Sequence, residues 1–175
     1  MKTLLPKLKK QDSLAQKEVF ETYAPKMLGV CRSYISDTHH AEDVMIKSFC
    51  KVFQSIGSFR SEGSFEGWIR RIMVNESLTF LRLNKSLIYL EEDKISEEPA
   101  EYEEDLDEID VQELLDGLPE SYRAVFNLYV LEDYSHKEIS KILNISETTS
   151  KTQLFRAKKK LKEMILKKKQ IQNEN

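Results

Sequence analysis

Residues 134–162 read YSHKEISKILNISETTSKTQLFRAKKKLK, and this stretch decides how the C-terminal part of the chain folds. Ser135, with Glu138 three residues later, forms a capping box, which marks the start of a helix. Asn144 is placed where a left-handed residue ends a helix, and Ser146 can cap the next one. Two helices joined by so short a turn form a helix-turn-helix, which we predict here.

The second of these helices has two different faces. The side that we expect to be buried repeats at steps of four, three and four residues: Ser150, Leu154, Ala157 and Leu161. The opposite side combines hydroxyls, cations and one ring: Thr149, Lys151, Thr152, Phe155, Arg156 and Lys159. This mixture suits the major groove of duplex DNA, because hydroxyls and cations meet base edges and phosphates while a ring meets a thymine methyl.

A run of lysines then continues the helix: Lys158, Lys159, Lys160 and Lys162. These cations can attract DNA phosphates without regard to sequence. They can equally be a solvated helix end that complements the helix dipole. Both interpretations stay open.

Charge is unevenly distributed along the 175 residues, whose net charge is −3. Residues 1–90 carry a net +5, residues 91–110 a net −11 and residues 111–175 a net +3. Because like charges repel and few apolar residues interrupt them, we expect 91–110 to be a linker. The two basic domains that flank it favour nucleic acid as a partner.

Composition points to an all-α protein of two small helical domains joined by this acidic linker. The chain has only five Gly and four Pro, too few for many tight turns. No stretch approaches the roughly 18 apolar residues of a membrane span, so we expect no membrane insertion. Neither a secretory signal nor paired cysteines occur, and Cys31 and Cys50 are expected to be free thiols in the cytoplasm.

The first domain also follows a helical period. We expect Pro25 to open a helix, Gly57 to end another and Ser64 to cap a third. The apolar stripe of that third helix begins at Phe65 and is expected to continue to Leu83.

Cations and rings alternate near this third helix: Phe59, Arg60, Phe65, Trp68, Arg70, Arg71, Arg82 and Lys85. Single-stranded nucleic acid needs such a mixture, because cations follow the backbone and rings stack on unpaired bases. Trp68, Arg70 and Arg71 are therefore candidate DNA-binding residues. Plain core packing explains the rings as well, and both interpretations stay open.

His39 and Asp43 lie one helical turn apart, which raises the question of a metal-dependent enzyme. Two or three candidate ligands on one turn fall short of a closed site, and polar residues commonly start helices. No nucleophile–base pattern or glycine-rich phosphate loop occurs. We therefore predict no catalytic site, no metal and no cofactor.

Several runs of residues occur together in one order and spacing: Ala41–Val44 (AEDV), Gly63–Asn75 (GSFEGWIRRIMVN), Leu118–Arg123 (LPESYR), Tyr134–Ile139 (YSHKEI) and Lys151–Ala157 (KTQLFRA). In this combination the chain resembles the extracytoplasmic-function (ECF) subfamily of sigma-70 type RNA polymerase sigma factors. The resemblance covers nearly the whole chain.

This resemblance implies a transcription initiation factor, not an enzyme. Its first domain would dock on core RNA polymerase and read the melted minus-ten element, and its second would read the minus-thirty-five element as duplex. Asn75 matches the family position near the pocket for a flipped promoter base. Lys151, Thr152, Phe155 and Arg156 match the groove-facing positions. An anti-sigma factor would be a further partner.

One departure from the family falls in the expected polymerase-docking region, which includes Asp43. Where the family often has Gln and Glu, this chain has Ile46 and Lys47. These two residues favour an alternative, a DNA-binding regulator that never joins the polymerase. A further hypothesis gives the linker a role: it folds back on the basic surfaces and weakens DNA binding, unless it is only a solubilising tether.

Overall fold

The computed structural model describes residues 4–60, 62–84 and 110–173, with side chains through residue 170. Every regular element in these ranges is helical, which confirms the all-α prediction. The chain divides into two compact units, Met1–Asn84 and Lys85–Asn175, called here the first and second units. Apart from Asp110, the predicted linker lies outside the described residues.

The helices of the first unit are α1 Leu4–Lys9, α2 Ser13–Tyr34, α3 Thr38–Gln54 and α4 Phe65–Leu83, with a short 3₁₀ turn at Ile56–Ser58. Those of the second unit are α5 Val111–Asp116, α6 Glu120–Phe126, α7 His136–Leu143 and α8 Glu147–Asn173, with a π-helical turn at Asn127–Leu131. None of the helices in the described ranges is both long and apolar enough to cross a membrane.

In the first unit, α2, α3 and α4 pack against one another in all three pairings. Their buried faces form one core that includes Met27, Tyr34, Phe49, Val52, Ile69, Met73 and Leu78. Leu8 anchors the short α1, being only 1% exposed. Lys51 Nζ lies 2.5 Å from Glu76 Oε1 and so links α3 to α4. These contacts fix the direction in which the outer face of α4 points.

Short polar side chains start the helices of this unit. Asp12 accepts a hydrogen bond from the Ala15 amide (2.8 Å) and Ser64 one from the Gly67 amide (3.3 Å). Asp37 accepts from the His40 amide at 2.8 Å, and this backbone hydrogen bond lowers the pKa of the Asp37 carboxyl. The Ser64 cap confirms the expected start of α4.

Three expectations for the first unit are wrong. Pro25 does not open a helix, because α2 continues through it. Val19 and Met27, on either side of this exposed proline, are buried, and their packing offsets the roughly 3 kcal/mol cost of an internal proline. Gly57 does not end α3, which closes at Ser55. Leu83 is 75% exposed and does not extend the buried stripe, because it lies in the last turn of α4.

The core of the second unit forms where α5, α6 and α7 pack on α8. Leu115, Leu118 and Ala157 lie at the centre of one cluster, with rings from α6 against it. Gly117 lies so close to Met164 of α8 that a Cβ at this position would collide with the Met164 methyl. The Met164 side chain is flexible, so its far end would have to move to admit a side chain at position 117.

Candidate nucleic-acid interface

The helix-turn-helix forms from the local signals that the sequence carries. Ser135 Oγ accepts from the Glu138 amide (3.3 Å), and the Ser135 amide donates to Glu138 Oε2 (2.9 Å), which completes the capping box. Hydrogen bonds from the Ser135 hydroxyl and then its amide lower the pKa of the Glu138 carboxyl. Asn144 is left-handed (φ 55°, ψ 51°), and Ser146 Oγ accepts from the Thr149 amide at 2.9 Å. The predicted capping box, the left-handed Asn144 and the cap at Ser146 are all confirmed.

A contact that the sequence did not reveal joins α7 to α8. His136 Nδ1 lies 2.9 Å from Ser150 Oγ, and Ser150 is fully buried on the inner face of α8. The Tyr129 ring stacks on the His136 ring with centroids 4.6 Å apart. Together these contacts hold α8 in one orientation against α7. This orientation determines which side of α8 is turned outward. In the sequence, the signal for this contact is Ser150, a polar residue on the otherwise apolar predicted inner face of α8.

The two faces of α8 largely follow the expected division. Ser150, Leu154 and Ala157 are buried, while Leu161 is only partly buried. Gln153 is also buried, at 1% exposure, although sequence reasoning did not place it on the inner face. Its burial makes the inner face of α8 wider than the sequence pattern predicts.

The predicted DNA-contacting residues lie together on the other side of α8. Lys151 and Lys159 are exposed, whereas the remaining four are partly buried: Thr149, Thr152, Phe155 and Arg156. Thr149 Oγ1 lies 2.8 Å from Ser146 Oγ, so its hydroxyl takes part in the cap. The face begins at the helix N-terminus, where free backbone N–H groups attract anions. Such a face can meet phosphates and base edges at the same time.

In the first unit, an open cleft of about 420 Å³ lies beside the start of α4. It is lined by Ser58, Phe59, Arg60, Glu62, Gly63, Ser64, Gly67, Trp68 and Arg71. Gly63 has a φ of +94°, a backbone conformation that favours glycine, and this turn shapes one wall of the cleft. The lining combines rings and cations, which is the chemistry expected for an unpaired base.

Of the three aromatic rings beside this cleft, two are buried in the core and one is partly exposed. Phe59 and Phe65 are buried, with centroids 5.4 and 5.8 Å from that of Trp68. Trp68 is only partly buried. Core packing therefore accounts for the two phenylalanines, while Trp68 keeps part of its surface open at the cleft.

Arg70 and Arg71, which were both predicted to bind DNA, lie on different sides of α4. Trp68, Arg71 and Asn75 recur at steps of three and four, so they share one face of α4. At 100° per residue, Arg70 lies about 160° around the helix from Trp68, and it does not line the cleft. Arg82 is at the far end of α4, and Lys85 lies outside the described residues.

The outer face of α3 presents the residues expected to dock on polymerase. Asp43, Ile46 and Lys47 are all exposed, and Ile46 keeps 51% of its surface accessible. They recur at steps of three and four with the exposed Cys50 and therefore lie on one face. An exposed isoleucine flanked by one acid and one base gives this face an apolar centre.

The two histidines belong to the first turn of α3. His39 is 92% exposed, with Nδ1 3.9 Å from Glu42 Oε2, and His40 Nδ1 lies 3.4 Å from Asp37 Oδ1. Within the described residues, no three His, Cys, Asp or Glu side chains form a group that could hold a metal ion.

Comparisons with known proteins match both units. Residues 19–86 match the family model of Sigma-70 region 2, and residues 108–161 match that of Sigma-70, region 4. The ECF RNA polymerase sigma factor SigM of Bacillus subtilis (strain 168) is 28% identical over 156 residues, 83% of this chain and 91% of that protein. SigW of the same organism is 27% identical over 181 residues, 94% of this chain and 96% of that protein.

A solved structure shares the fold. The sigma factor RpoE from Bartonella quintana, crystallised with the anti-sigma factor NepR, is 22% identical to this chain. The superposition covers 85% of this chain and 95% of that one, with a TM-score of 0.52.

The two matched regions and the helix-turn-helix define the class, which is that of promoter-binding transcription initiation factors. This chain belongs to the ECF subfamily of the sigma-70 type RNA polymerase sigma factors. It directs RNA polymerase to promoters, with core RNA polymerase and promoter DNA as its partners. The family resemblance seen in the sequence is thereby confirmed.

Proposed function

We propose that this sigma factor binds promoter DNA through two separate surfaces, one on each unit. In this proposal residues 1–90 bind core polymerase and the melted minus-ten element, and residues 111–175 bind the minus-thirty-five duplex. Residues 91–110 connect them. The observation that carries the proposal is the outer face of α8, where hydroxyls, cations and one ring are collected at the start of a capped helix.

In the second unit, the proposed groove-facing residues are Thr149, Lys151, Thr152, Phe155, Arg156 and Lys159. The major groove of B-DNA is about 12 Å wide and admits one α-helix. The cap at Ser146 and the contact between His136 and Ser150 fix the first turns of α8, so these side chains enter the groove without first having to be ordered.

In the first unit, we propose that one unpaired promoter base enters the cleft beside α4. Trp68 offers part of its ring for stacking, and Arg71 offers a cation on the same face. Asn75 is not among the residues that line the cleft; it lies on the same face of α4, about two turns beyond Trp68, where its amide can contact the pairing edge of a base. Arg70 has at most a supporting role, because it points away from this face.

We assign polymerase docking to the outer face of α3. Asp43, Ile46 and Lys47 are exposed together there, and an apolar centre with charges around it is typical of a protein-binding surface. Ile46 and Lys47 thus change the chemistry of the docking contact relative to the family pattern and do not remove it.

The proposal further makes this chain a binding factor, not an enzyme. It supplies binding free energy and the polymerase performs the chemistry, so it needs no cofactor. Its place of action is the cytoplasm, where the promoter and polymerase are found. The related fold of RpoE is bound by an anti-sigma factor, which supports an anti-sigma partner for this chain as well.

A reconstitution tests the proposal. The purified chain is mixed with bacterial core RNA polymerase and a library of random promoter fragments, and the run-off transcripts are sequenced. We expect enriched transcripts that share two sequence elements at one fixed spacing. Lys151→Ala should weaken the selection of the upstream element and Trp68→Ala that of the downstream one.

Two results would contradict the proposal. Transcripts that share only one element would show that one of the two surfaces does not read DNA. Duplex binding without any transcripts would mean that the face of α3 does not dock on polymerase, and that the chain acts as a regulator independent of it.

A further inference from the structure

Among the described residues that line the cleft beside α4, Glu62 is the one acid, and it lies there with Arg60 and Arg71. DNA phosphates are negative, so a carboxylate in the cleft lowers the affinity for any strand, whatever its bases. The two arginines and the Trp68 ring account for binding a strand, and the acid opposes it. Glu62 therefore needs a role that compensates for this repulsion.

The Glu62 side chain is available to a ligand. It is exposed, and the described parts of the chain offer its carboxylate neither an ion pair nor a hydrogen bond. Glu66, in the first turn of α4, is different, because it forms an ion pair with Lys26 of α2. Of these two acids at the start of α4, one is bound within the protein and the other lines the cleft.

The cleft otherwise offers few hydrogen-bond acceptors on its side chains. Its two serines already use their hydroxyls within the protein: Ser58 Oγ donates to the Ser55 carbonyl oxygen (2.7 Å), and Ser64 Oγ accepts from the Gly67 amide (3.3 Å). Arginine and tryptophan side chains only donate. Glu62 thus supplies the strong acceptor of the cleft, and an ionised carboxylate only accepts.

We propose that Glu62 selects the unpaired base that enters this cleft, by accepting a hydrogen bond from an exocyclic amino group on the pairing edge of that base. This inference rests on the proposed function and deepens it. Adenine, cytosine and guanine carry such an amino group. Thymine has carbonyl oxygens on both sides of its ring N–H, and these repel a carboxylate. The cleft therefore accepts an amino-bearing base and discriminates against thymine.

A competing role for Glu62 is to hold the guanidinium group of Arg60 or Arg71 in place. The acid would then be indifferent to the base, because it would act through phosphate contacts that all four nucleotides share. We favour base reading because Glu62 forms no ion pair with either of these described arginines, although all three side chains line the same cleft.

The test uses the full chain and the minus-ten strand that the reconstitution selects. Trp68 is the only tryptophan of the chain, so its fluorescence reports directly on the cleft. Each base of the strand is replaced in turn by an abasic site. The position at which quenching of Trp68 is lost identifies the base that stacks in the cleft.

That base is then replaced by an analogue without the exocyclic amino group, which is purine for adenine, hypoxanthine for guanine or the corresponding pyrimidinone for cytosine. We expect the unaltered chain to bind the analogue strand roughly 10-fold more weakly, because one hydrogen bond to a charged acceptor is lost. The Glu62→Ala variant should bind both strands equally. Glu62→Gln keeps an acceptor oxygen and should retain part of the difference.

The matched control is Glu18→Ala, which removes an exposed acid of α2 that does not line the cleft. It loses the same charge and should keep the full difference between the two strands. A difference that persists in Glu62→Ala as it does in Glu18→Ala would overturn the inference.

A thymine at the position that quenches Trp68 would overturn it as well, and so would an equal change of affinity for both strands in Glu62→Ala. These results leave the proposed function intact, because a base still stacks in the cleft. If no position quenches Trp68, the cleft binds no base, and the proposed function of the first unit fails together with the inference.

Discussion

The outer faces of α4 and α8 are both proposed to bind DNA, yet they are built differently. On α4, a partly buried tryptophan and an arginine lie beside an open cleft. On α8, hydroxyls and cations lie on the outer face of a helix that begins at a cap. An unpaired base exposes its flat face and can enter a cleft, whereas a paired base exposes only its edge in a groove. The shape of each face thus matches one physical state of DNA.

The largest effect is expected when two cations are removed from α8, which tests whether this face is specific for duplex DNA. We expect the double variant Lys151→Ala and Arg156→Ala to lose about 2 to 6 kcal/mol of duplex binding free energy, since each good contact to a base is worth about 1–3 kcal/mol. Anisotropy with the selected minus-thirty-five duplex measures the loss. Single-stranded minus-ten DNA should bind as before.

The matched control is the double variant Lys137→Ala and Lys141→Ala, which removes the same charge from the exposed side of α7. It should cost less than one of the α8 changes alone. An equal loss in both double variants would show that net charge governs duplex binding and that α8 has no special face.

A smaller effect is expected from the ring on α4. Trp68→Ala should weaken binding of single-stranded minus-ten DNA by about 1–3 kcal/mol, because it removes the stacking surface for one base. Trp68→Phe keeps a ring and should recover most of the affinity. Duplex binding should not change in either variant. Loss of single-strand binding with Phe as well as Ala would indicate a packing role against Phe59 and Phe65.

Arg70 and Arg71 offer a second comparison on the same helix. Arg71→Gln should weaken single-strand binding, because Arg71 lines the cleft, whereas Arg70→Gln should weaken it less. The two changes remove the same charge from adjacent positions. Equal effects would mean that the cleft is not where the strand binds.

Sequence reasoning succeeded where a residue acts on its close neighbours. The capping box of Ser135 and Glu138, the left-handed Asn144 and the cap at Ser146 all depend on residues at most three or four positions away. Such patterns can be read directly. The start and end of α7 and the start of α8 were therefore predictable, and with them the helix-turn-helix.

Sequence reasoning failed where contacts between residues far apart in the chain determine the local structure. The continuity of α2 through Pro25 depends on a core contributed by α3 and α4, and the contact of His136 with Ser150 spans 14 residues. The cleft beside α4 likewise forms from a loop and a helix together. The separation of Arg70 from Arg71 is a different case, because the helical period of about 100° per residue is enough to predict it. The two arginines were grouped by their charge, and their angular positions on the helix were not considered.

The comparison can be sharpened at the level of stability. Ser135→Ala should destabilise the second unit by about 1 kcal/mol, and Ser64→Ala should do the same to the first unit, because each removes a helix cap. Thermal unfolding followed by circular dichroism measures both. The pKa of Glu138 is lowered in the folded state, so its contribution is present above its ordinary pKa and is lost as pH falls through the lowered value. The loss of unfolding free energy caused by Ser135→Ala should therefore be smaller at acidic pH than at neutral pH.

The smallest expected effect concerns the two thiols, which both lie in the first unit. Burial raises the pKa of the Cys31 thiol to about 11, so this thiol is protonated at neutral pH and shielded, whereas Cys50 is exposed on α3. A thiol reagent should label Cys50 at once and Cys31 only when the first unit opens. If the two units unfold separately, Ser64→Ala will speed labelling of Cys31 and Ser135→Ala will not. Equal acceleration by both variants would mean that the helix-turn-helix and the cleft share one cooperative unit, and that the two DNA surfaces are not independent.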